Sequence, residues 1–565
     1  MPMRSVVLIA MLTVLGARAQ SVPDAFEITQ RYADSGAAQI ALARIERLQP
    51  AAPSAPRWGD WERLRCSLMY RLNRHQELAT RIAALPAAAP EGVARFCLLQ
   101  GARAAIATAQ GAAALDFLAR LIWRQQLPAE EMRQARLLVI ESYLAAGKPR
   151  DAYALMLRYL QDFRPVDRDT AARFVDALLA AGMEKEAINW FSQLDDASPI
   201  KLLLRLESNL ISPDAAIAQA RAGLARSSGV TPYWIVLQRA AVLQKNRMLH
   251  VEALENLLQH ARDNSPGRLA AISADLWKSY VAAAQDTANA DKLLLGDDVS
   301  LAEYASRRAG ASPITARAFF AYLASQSKTH AMRQSAQLQL ALSLQSGKLP
   351  LTAVRLFGDA TRFPVAQLDA QARYLLGAMA ADGDQPLAAA RFWLGLDLPP
   401  TLTPADWNLR LAQTLVRAGV ADSGSAALRA LIAGNKTLPA DVVQRTILLV
   451  QILQDTGYHK TADELYRALL LLAAPRERRD ILAGLGRIAE TNNDFERAAD
   501  YFLEAALLLD ARATDAIAVN ARIAAAANLG RAGLKDDARA QFEWLQKNVK
   551  DPEKLEQIQR EMRKL

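Results

Sequence analysis

The sequence predicts an all-α chain built from consecutive helical hairpins. From Ser21 onward, alanine, leucine and arginine dominate, and the alternation of apolar and polar residues that is typical of strands is scarce. Segments of helical length are separated by short groups of Gly, Pro, Asn or Asp, which mark the ends of helices joined by tight turns. Both observations favour helices packed on helices over any mixed or sheet-based fold.

The first residues have the pattern of an export signal. Arg4 supplies a positive charge, residues 6–15 are apolar, and Ala17-Arg18-Ala19 resembles a cleavage site. The sequence therefore predicts a signal peptide over residues 1–19, with an uncleaved anchor as the alternative. No later segment is long and apolar enough to span a bilayer, so the mature chain is predicted to be soluble and periplasmic.

The charge of the mature chain does not indicate a nucleic-acid partner. Removal of residues 1–19 takes away Arg4 and Arg18, and the formal net charge falls from +9 to +7. Basic and acidic residues are interspersed, as in residues 476–480. Proteins that bind nucleic acid concentrate Lys and Arg in a patch. We therefore expect no nucleic acid among the partners.

The chain has two cysteines, Cys66 and Cys97. In an oxidising compartment such a pair is a candidate disulfide, which would stabilise the fold by roughly 3–4 kcal/mol on the chain-entropy model. The alternative is two buried small apolar side chains on neighbouring helices. The register of the helices decides between them, because the sulfur atoms must meet.

Helix starts and ends are marked along the chain. Thr403-Pro404-Ala405-Asp406 offers an N-cap, a proline at the first helical position and an acidic first turn. Ser-Pro or Thr-Pro pairs repeat part of this pattern at residues 212–213, 231–232 and 312–313. Glycines are predicted to end helices at Gly147, Gly182, Gly347 and Gly457.

The stretch 479–506 shows the pattern of a closely packed hairpin. Apolar residues recur at helical spacing on either side of a turn at residues 492–494. Gly486 lies twelve positions before Ala498, so two antiparallel helices can approach closely, and Phe502 can fill the space beside them.

A small residue followed four positions later by a large one recurs elsewhere in the chain. The pairs are Ala152 with Met156, Ala187 with Phe191, Ala353 with Phe357, Ala389 with Trp393, Ala462 with Tyr466, Ala498 with Phe502 and Ala538 with Phe542. In this respect the chain resembles the tetratricopeptide repeat (TPR) family, whose period is about 34 residues. The resemblance implies a right-handed α-α superhelical solenoid whose first helices line a concave groove. A series of unrelated helical hairpins is the alternative.

The resemblance is uneven along the chain and predicts the following organisation. Residues 1–19 form the signal peptide, 20–130 degenerate N-terminal hairpins, 131–262 TPR-like repeats, 263–328 an irregular helical segment, 329–550 further TPR-like repeats and 551–565 a C-terminal capping helix. For the irregular segment, packing is favoured over a binding role. For the last helix, a cap over the final repeat is favoured over a docking site for a partner helix.

The search for catalytic and metal-binding motifs is negative. The five histidines are scattered, and the two cysteines are too few for a four-cysteine zinc site. Residues 484–489 match G-x-G-x-x-A, but they fall inside a predicted helix, where Gly486 is a packing residue. We therefore predict no catalytic residue, no metal and no cofactor, and the chain is not expected to be an enzyme.

The family resemblance indicates where a partner would bind. Some family members hold a terminal carboxylate of a peptide with Lys, Asn and Arg in the groove, and the corresponding positions here do not reproduce that clamp: Glu141, Asp176, Leu342, Ala378, Gln451 and Arg487. A polar groove near the C-terminal end is predicted instead, from Gln444, Gln451, Gln454, Asp455, Arg487 and Glu490. Plain solvation of these side chains is the alternative.

Export, repeats and the absence of catalytic motifs together favour a periplasmic scaffold. Its expected partners are other envelope or secreted proteins, in secretion, envelope assembly or exopolysaccharide export. The alternative is a protein that binds polysaccharide or peptidoglycan or acts in cell-wall metabolism. A solenoid that mainly forms oligomers is a third hypothesis.

Overall fold

The computed structural model describes residues 25–34, 38–124, 127–195, 198–226, 231–261, 266–510, 512 and 514–565. The predicted signal peptide lies outside these residues. Contacts divide the chain into two compact units. The large unit comprises residues 32–436 and 455–458, and the C-terminal unit comprises 437–454, 459–565 and the described part of 1–31.

The described residues form α-helices joined by short turns, with two 3-10 turns at Phe191–Gln193 and Val365–Gln367 and no strand among them. The first fifteen helices are α1 Ala25–Asp34, α2 Ala38–Leu48, α3 Trp58–Arg71, α4 His75–Ala83, α5 Glu91–Ala107, α6 Gly111–Arg124, α7 Ala129–Ala145, α8 Pro149–Asp162, α9 Arg168–Ala180, α10 Glu184–Ile188, α11 Pro199–Glu207, α12 Pro213–Arg226, α13 Thr231–Leu243, α14 Arg247–His260 and α15 Pro266–Ala290. The remaining helices are α16 Asp298–Arg308, α17 Pro313–Gln326, α18 His330–Ser346, α19 Pro350–Leu356, α20 Ala370–Asp382, α21 Pro386–Trp393, α22 Pro404–Arg417, α23 Ala421–Ala433, α24 Ala440–Asp455, α25 His459–Leu470, α26 Pro475–Thr491, α27 Phe495–Leu507, α28 Ala516–Arg531, α29 Lys535–Asn548 and α30 Pro552–Met562. The predicted all-α class and hairpin organisation are confirmed.

Local signals start and end the helices largely as predicted. The side chain of Thr403 accepts a hydrogen bond from the backbone N–H of Asp406, and α22 begins at Pro404. Gly147, Gly182 and Gly457 have positive φ in the turns that end their helices. Gly347 does not, with φ −75°. The next residue, Lys348, takes the left-handed conformation with φ 59°, so the turn is placed one residue later than predicted.

Small residues let the two helices of a hairpin approach, as the pattern predicts. A methyl group added to Gly486 on α26 would come within 2.9 Å of the ring of Phe502 on α27. A Cβ on Gly377 of α20 would collide with the indole of Trp393 on α21. Phe502 and Trp393 are buried. Burial of each such aromatic side chain stabilises the fold by roughly 2–3 kcal/mol.

One predicted pair packs differently. α10 ends at Ile188, so Phe191 lies in a 3-10 turn and is only partly buried. Trp190 fills the core in its place, 1% exposed, with its ring edge-on to Phe174 at a centroid distance of 5.1 Å. The larger indole buries more apolar surface at this point, which outweighs the regular spacing.

The described part of the irregular segment, residues 266–328, is packed into the large unit. α15 is 25 residues long, and its side chains Leu276 and Tyr280 are fully buried. The ring of Trp277 contacts Phe363 edge-on, at a centroid distance of 5.0 Å. The buried side of α15 therefore has the packing role that was favoured for this segment.

The last helix covers the end of the C-terminal unit. Asp551 caps α30 by accepting a hydrogen bond from the backbone N–H of Glu553. Ile558 is fully buried in a cluster with Phe542 and Leu545 of α29, and Leu555 and Met562 pack against it. The apolar stripe of α30 is thus already used within the chain.

Candidate functional site

The predicted polar groove falls on α24 and α26, which lie side by side in the C-terminal unit. Gln444 and Leu448 are exposed on α24, and Gln451 is half-buried one turn further along. Arg487 is exposed on α26. Glu490 forms an ion pair with Arg531 of α28, so the first helices of two successive hairpins are connected.

Gln454 is buried instead of lying in the groove. Its side chain is 5% exposed, and its Nε2 approaches the carbonyl oxygen of Gly484 at 3.5 Å. Its Oε1 accepts a hydrogen bond of 3.3 Å from the hydroxyl of Tyr466. Gln454 therefore joins α24 to α25, the other helix of its own hairpin, and to α26, the first helix of the next hairpin.

Asp455 belongs to the large unit and is engaged there. The hydroxyl of Tyr32 donates a hydrogen bond of 2.5 Å to its carboxylate, and the guanidinium of Arg44 lies 3.5 Å away. Its carbonyl oxygen accepts hydrogen bonds from Arg44 and Arg47. These contacts were not foreseen, since Asp455 and Arg44 lie far apart in sequence.

Two other predicted groove positions carry acids in the large unit. Glu141 on α7 is half-buried, and burial raises its pKa while the charges of Arg173 and Arg103 oppose the shift. Asp176 on α9 is exposed, yet enough protein surrounds it that burial raises its pKa too. Acids at these positions repel a terminal carboxylate, which agrees with the absence of the family's clamp.

The two cysteines come together in the large unit. Cys66 on α3 and Cys97 on α5 are both fully buried, with their sulfur atoms 3.2 Å apart as free thiols. The hydrogen bond between them, and burial, raise the pKa of the Cys66 thiol far above its ordinary value. A disulfide requires the sulfurs to move about 1 Å closer.

The carboxylate of Glu62 also lies beside these thiols. One of its oxygens and the two sulfurs all lie within 4.8 Å of one another, a spacing that a metal ion could use. The carboxylate is already occupied, because Arg81 donates two hydrogen bonds of 2.9 and 2.7 Å to it and Gln49 donates one of 2.6 Å. Burial acts to raise the pKa of Glu62, but these bonds outweigh it and hold the pKa below its usual value. A cation here would face the charge of Arg81, so the arrangement does not suit a metal.

Two clefts in the large unit were not predicted from the sequence. The basic cleft, about 400 Å³ in volume, lies where the turn between α13 and α14 meets α15. The neutral cleft, about 540 Å³, lies between α16, α17 and α18. The neutral cleft is lined by the amides Gln339 and Gln345, by serine hydroxyls and by Phe320 and Leu342.

The basic cleft holds a serine, a histidine and an aspartate close together. Oγ of Ser279 is 3.2 Å from Nδ1 of His250, and Oδ2 of Asp275 is 3.7 Å from Nε2 of the same ring. A hydrolytic triad needs a hydrogen bond from base to acid and an accessible nucleophile. The second distance is too long, and Ser279 is 5% exposed, so these residues do not form a triad.

Comparisons with known proteins do not assign a function to the chain. No protein-family model matches the chain, and no curated protein matches it. Among solved structures, a chain of the APC/C hetero-tetramer Cut9–Hcn1 aligns over 96% of this chain and 97% of its own length, with 13% identity and a TM-score of 0.29. A chain of Naa15/Naa10 bound to HypK-THB aligns over 96% and 77%, with 12% identity and a TM-score of 0.23.

The fold is TPR-like. Within its hairpins Gly486 faces Phe502 and Gly377 faces Trp393, which are the contacts between small and aromatic residues that the repeat pattern predicts. Among the described residues, no helix combines the length and apolar character needed to cross a membrane.

Proposed function

We propose that this TPR-like chain is an exported periplasmic scaffold that binds other envelope or secreted proteins. The roles we infer for it are secretion, envelope assembly or exopolysaccharide export. One observation carries the proposal: Gln454 links α24 to α26, the Glu490–Arg531 ion pair links α26 to α28, and α24 and α26 present solvent-facing side chains of mixed character. Gln444 and Arg487 offer hydrogen bonds, while Leu448 leaves 56% of its side chain exposed. A surface with apolar contacts among polar groups is typical of protein interfaces.

Site-specific cross-linking in intact cells tests this proposal. A photoreactive amino acid is placed at Gln444, Leu448 or Gln451, and in matched controls at Glu504 of α27 or Glu543 of α29, which are exposed on second helices. The first set should capture the same envelope proteins, identified by mass spectrometry, and the controls should not. Equal capture from both sets, or capture of this chain alone, would contradict the proposal.

The export signal is tested separately. The mature chain should be recovered from the periplasmic fraction with Gln20 as its first residue. A variant that lacks residues 1–19 should stay in the cytoplasm. Recovery of the complete chain in the membrane fraction would instead support the uncleaved anchor.

The neutral cleft favours a second candidate function, binding of a glycan such as peptidoglycan. Amides and hydroxyls without a net charge suit the hydroxyl groups of a sugar, and the cleft is large enough for a small ligand. Co-sedimentation with purified peptidoglycan would be lost in a Gln339→Ala/Gln345→Ala variant if this cleft binds the glycan. Turnover of peptidoglycan by the purified chain would contradict a scaffold without enzymatic activity.

A further inference from the structure

The basic cleft carries more positive than negative charge. Its charged lining residues are Lys245, Arg247, Lys278 and Asp275, with His250 between them. Arg247 is already paired, since its Nε lies 2.5 Å from Oδ2 of Asp286. Lys245 and Lys278 are exposed and have no ion pair within the described parts of the chain. Two ammonium groups are therefore available to a ligand.

The floor of the cleft is polar and held in place. His250 on α14 is 15% exposed, and its Nδ1 lies 3.2 Å from Oγ of Ser279 on α15. Its Nε2 is 3.7 Å from the carboxylate of Asp275, which is beyond hydrogen-bonding distance. This edge of the ring can therefore form a hydrogen bond to a ligand.

The rim of the cleft is apolar on one side. Val242 lines it and leaves 45% of its side chain exposed, and the adjacent Leu243 leaves 44% exposed. Both residues stand at the end of α13. A ligand that fills this cleft thus meets positive charge and an aliphatic surface together.

We propose that the basic cleft binds an acidic segment of a partner protein. Carboxylates of the segment lie against Lys245 and Lys278, and an aliphatic side chain of the segment lies against Val242. The exposed Val242 and Leu243 favour a peptide over an acidic polysaccharide, because a polysaccharide has no aliphatic side chain to cover them. The volume of about 400 Å³ accommodates a few side chains. This inference rests on the proposed function only in taking the ligand to be a protein.

Binding of a defined peptide to the purified mature chain tests the inference. The probe is a fluorescein-labelled peptide of Glu-Glu-Leu repeats, followed by fluorescence polarisation. The wild-type chain should bind it, and a rise in salt from about 0.05 M to 0.5 M should weaken binding, because the lysines are exposed. The Lys245→Glu/Lys278→Glu variant should bind roughly tenfold more weakly or worse.

The matched control is Lys292→Glu/Lys348→Glu. Both lysines are exposed, and like Lys245 they have left-handed φ values of 55° and 59° in turns of the same unit, outside the cleft. This variant carries the same change of charge and should keep wild-type affinity. Circular dichroism verifies that both variants are folded.

Four outcomes would overturn the inference. The first is that the wild type does not bind the peptide, and the second is that the two double variants lose affinity equally. The third is that the wild type binds a peptide of Gln-Gln-Leu repeats as tightly as the acidic peptide. The fourth is that it binds oligogalacturonate more tightly than the acidic peptide. Failure of cross-linking in cells, with retained peptide binding in vitro, would contradict the proposed function and leave this assignment standing.

Discussion

The guanidinium of Arg317 donates two hydrogen bonds, each of 2.6 Å, to the carboxylate of Glu255 in the interior of the large unit. The two residues are 4% and 1% exposed and stand on α17 and α14. The hydroxyl of Tyr280 donates a third bond of 2.6 Å to the same carboxylate. Thr352 of α19 donates one of 2.7 Å to the backbone carbonyl of Glu255, so four helices meet at this residue.

Loss of Arg317 should destabilise the large unit strongly. Burial acts to lower the pKa of Arg317, but the facing carboxylate outweighs it and the pKa is raised, so the guanidinium stays charged. Arg317→Met leaves Glu255 buried without a countercharge, and we expect a loss of about 3–5 kcal/mol. The thermal midpoint, followed by circular dichroism, should fall clearly.

Removal of the whole polar group is the control for that variant. The variant Glu255→Met/Tyr280→Phe/Arg317→Met removes the carboxylate, the hydroxyl and the guanidinium together. No buried charge is left without a partner, so this variant should lose less stability than Arg317→Met alone. If Arg317→Met alone unfolds at the same temperature as the wild type, the ion pair of Arg317 and Glu255 does not hold these helices together.

Gly377→Ala should destabilise the hairpin of α20 and α21. The added methyl would displace the indole of Trp393, whose Nε1 donates a hydrogen bond of 3.1 Å to the carbonyl oxygen of Tyr374. Overpacking of this kind costs roughly 1–3 kcal/mol. Gly267→Ala on α15 is the matched control, because no atom beyond its chain neighbours and the adjacent backbone of its own helix lies within 4 Å of the added methyl. That variant should stay within about 1 kcal/mol of the wild type. Equal destabilisation of the two would mean that the collision is not the cause.

Cys66 and Cys97 should be joined in the chain isolated from an oxidising compartment. Because the pKa of the Cys66 thiol is raised, Cys66 holds little reactive thiolate in the folded chain, and we expect oxidation during folding, before the site closes. Intact mass after alkylation, with and without reductant, measures the state of both thiols. Complete alkylation of both cysteines without reductant would instead support the alternative of two buried thiols.

If the bridge forms, reduction should lower the thermal midpoint of the wild type and not that of Cys66→Ala/Cys97→Ala.

Stability should fall as the solution is acidified below about pH 6.5. Burial lowers the pKa of His75, His250 and His260, and at His250 the charge of Arg247 adds to this while Asp275 opposes it. The unfolded chain, with histidine pKa values near 6.5, therefore takes up protons before the folded chain does. The stabilisation that these neutral histidines contribute is fully present above about pH 6.5. It is lost as the pH falls towards their lowered pKa values in the folded chain.

The variant His75→Phe isolates one of these groups. Its ring can keep the contact with Tyr70, whose centroid lies 5.3 Å away, but it does not titrate. The fall in thermal midpoint between about pH 7.5 and pH 5.5 should be smaller in this variant than in the wild type. An equal fall would exclude His75 as a source of the pH dependence.

Much of the fold was predictable because its signals are local. The cap at Thr403, the glycines with positive φ and the contact of Gly486 with Phe502 all depend on residues within one hairpin. The prediction was wrong for Phe191, where the neighbouring Trp190 occupied the core, since sequence spacing alone does not weigh the size of adjacent aromatic side chains. Gln454 was misplaced for a related reason, because a hydrogen bond from Tyr466 on the second helix of its own hairpin holds this polar side chain in the interior.

By itself, the sequence determined the helical class, the hairpin boundaries and which small and aromatic residues pack together, since helix periodicity, capping and close pairing act over one repeat. Only the tertiary structure decided that Cys66 meets Cys97, that Glu255 meets Arg317, and that Lys245 and Lys278 share a cleft. These groups stand on different helices, and their proximity depends on the register and crossing of the packed helices. Packing of many side chains at once sets that register, and no short stretch of sequence specifies it.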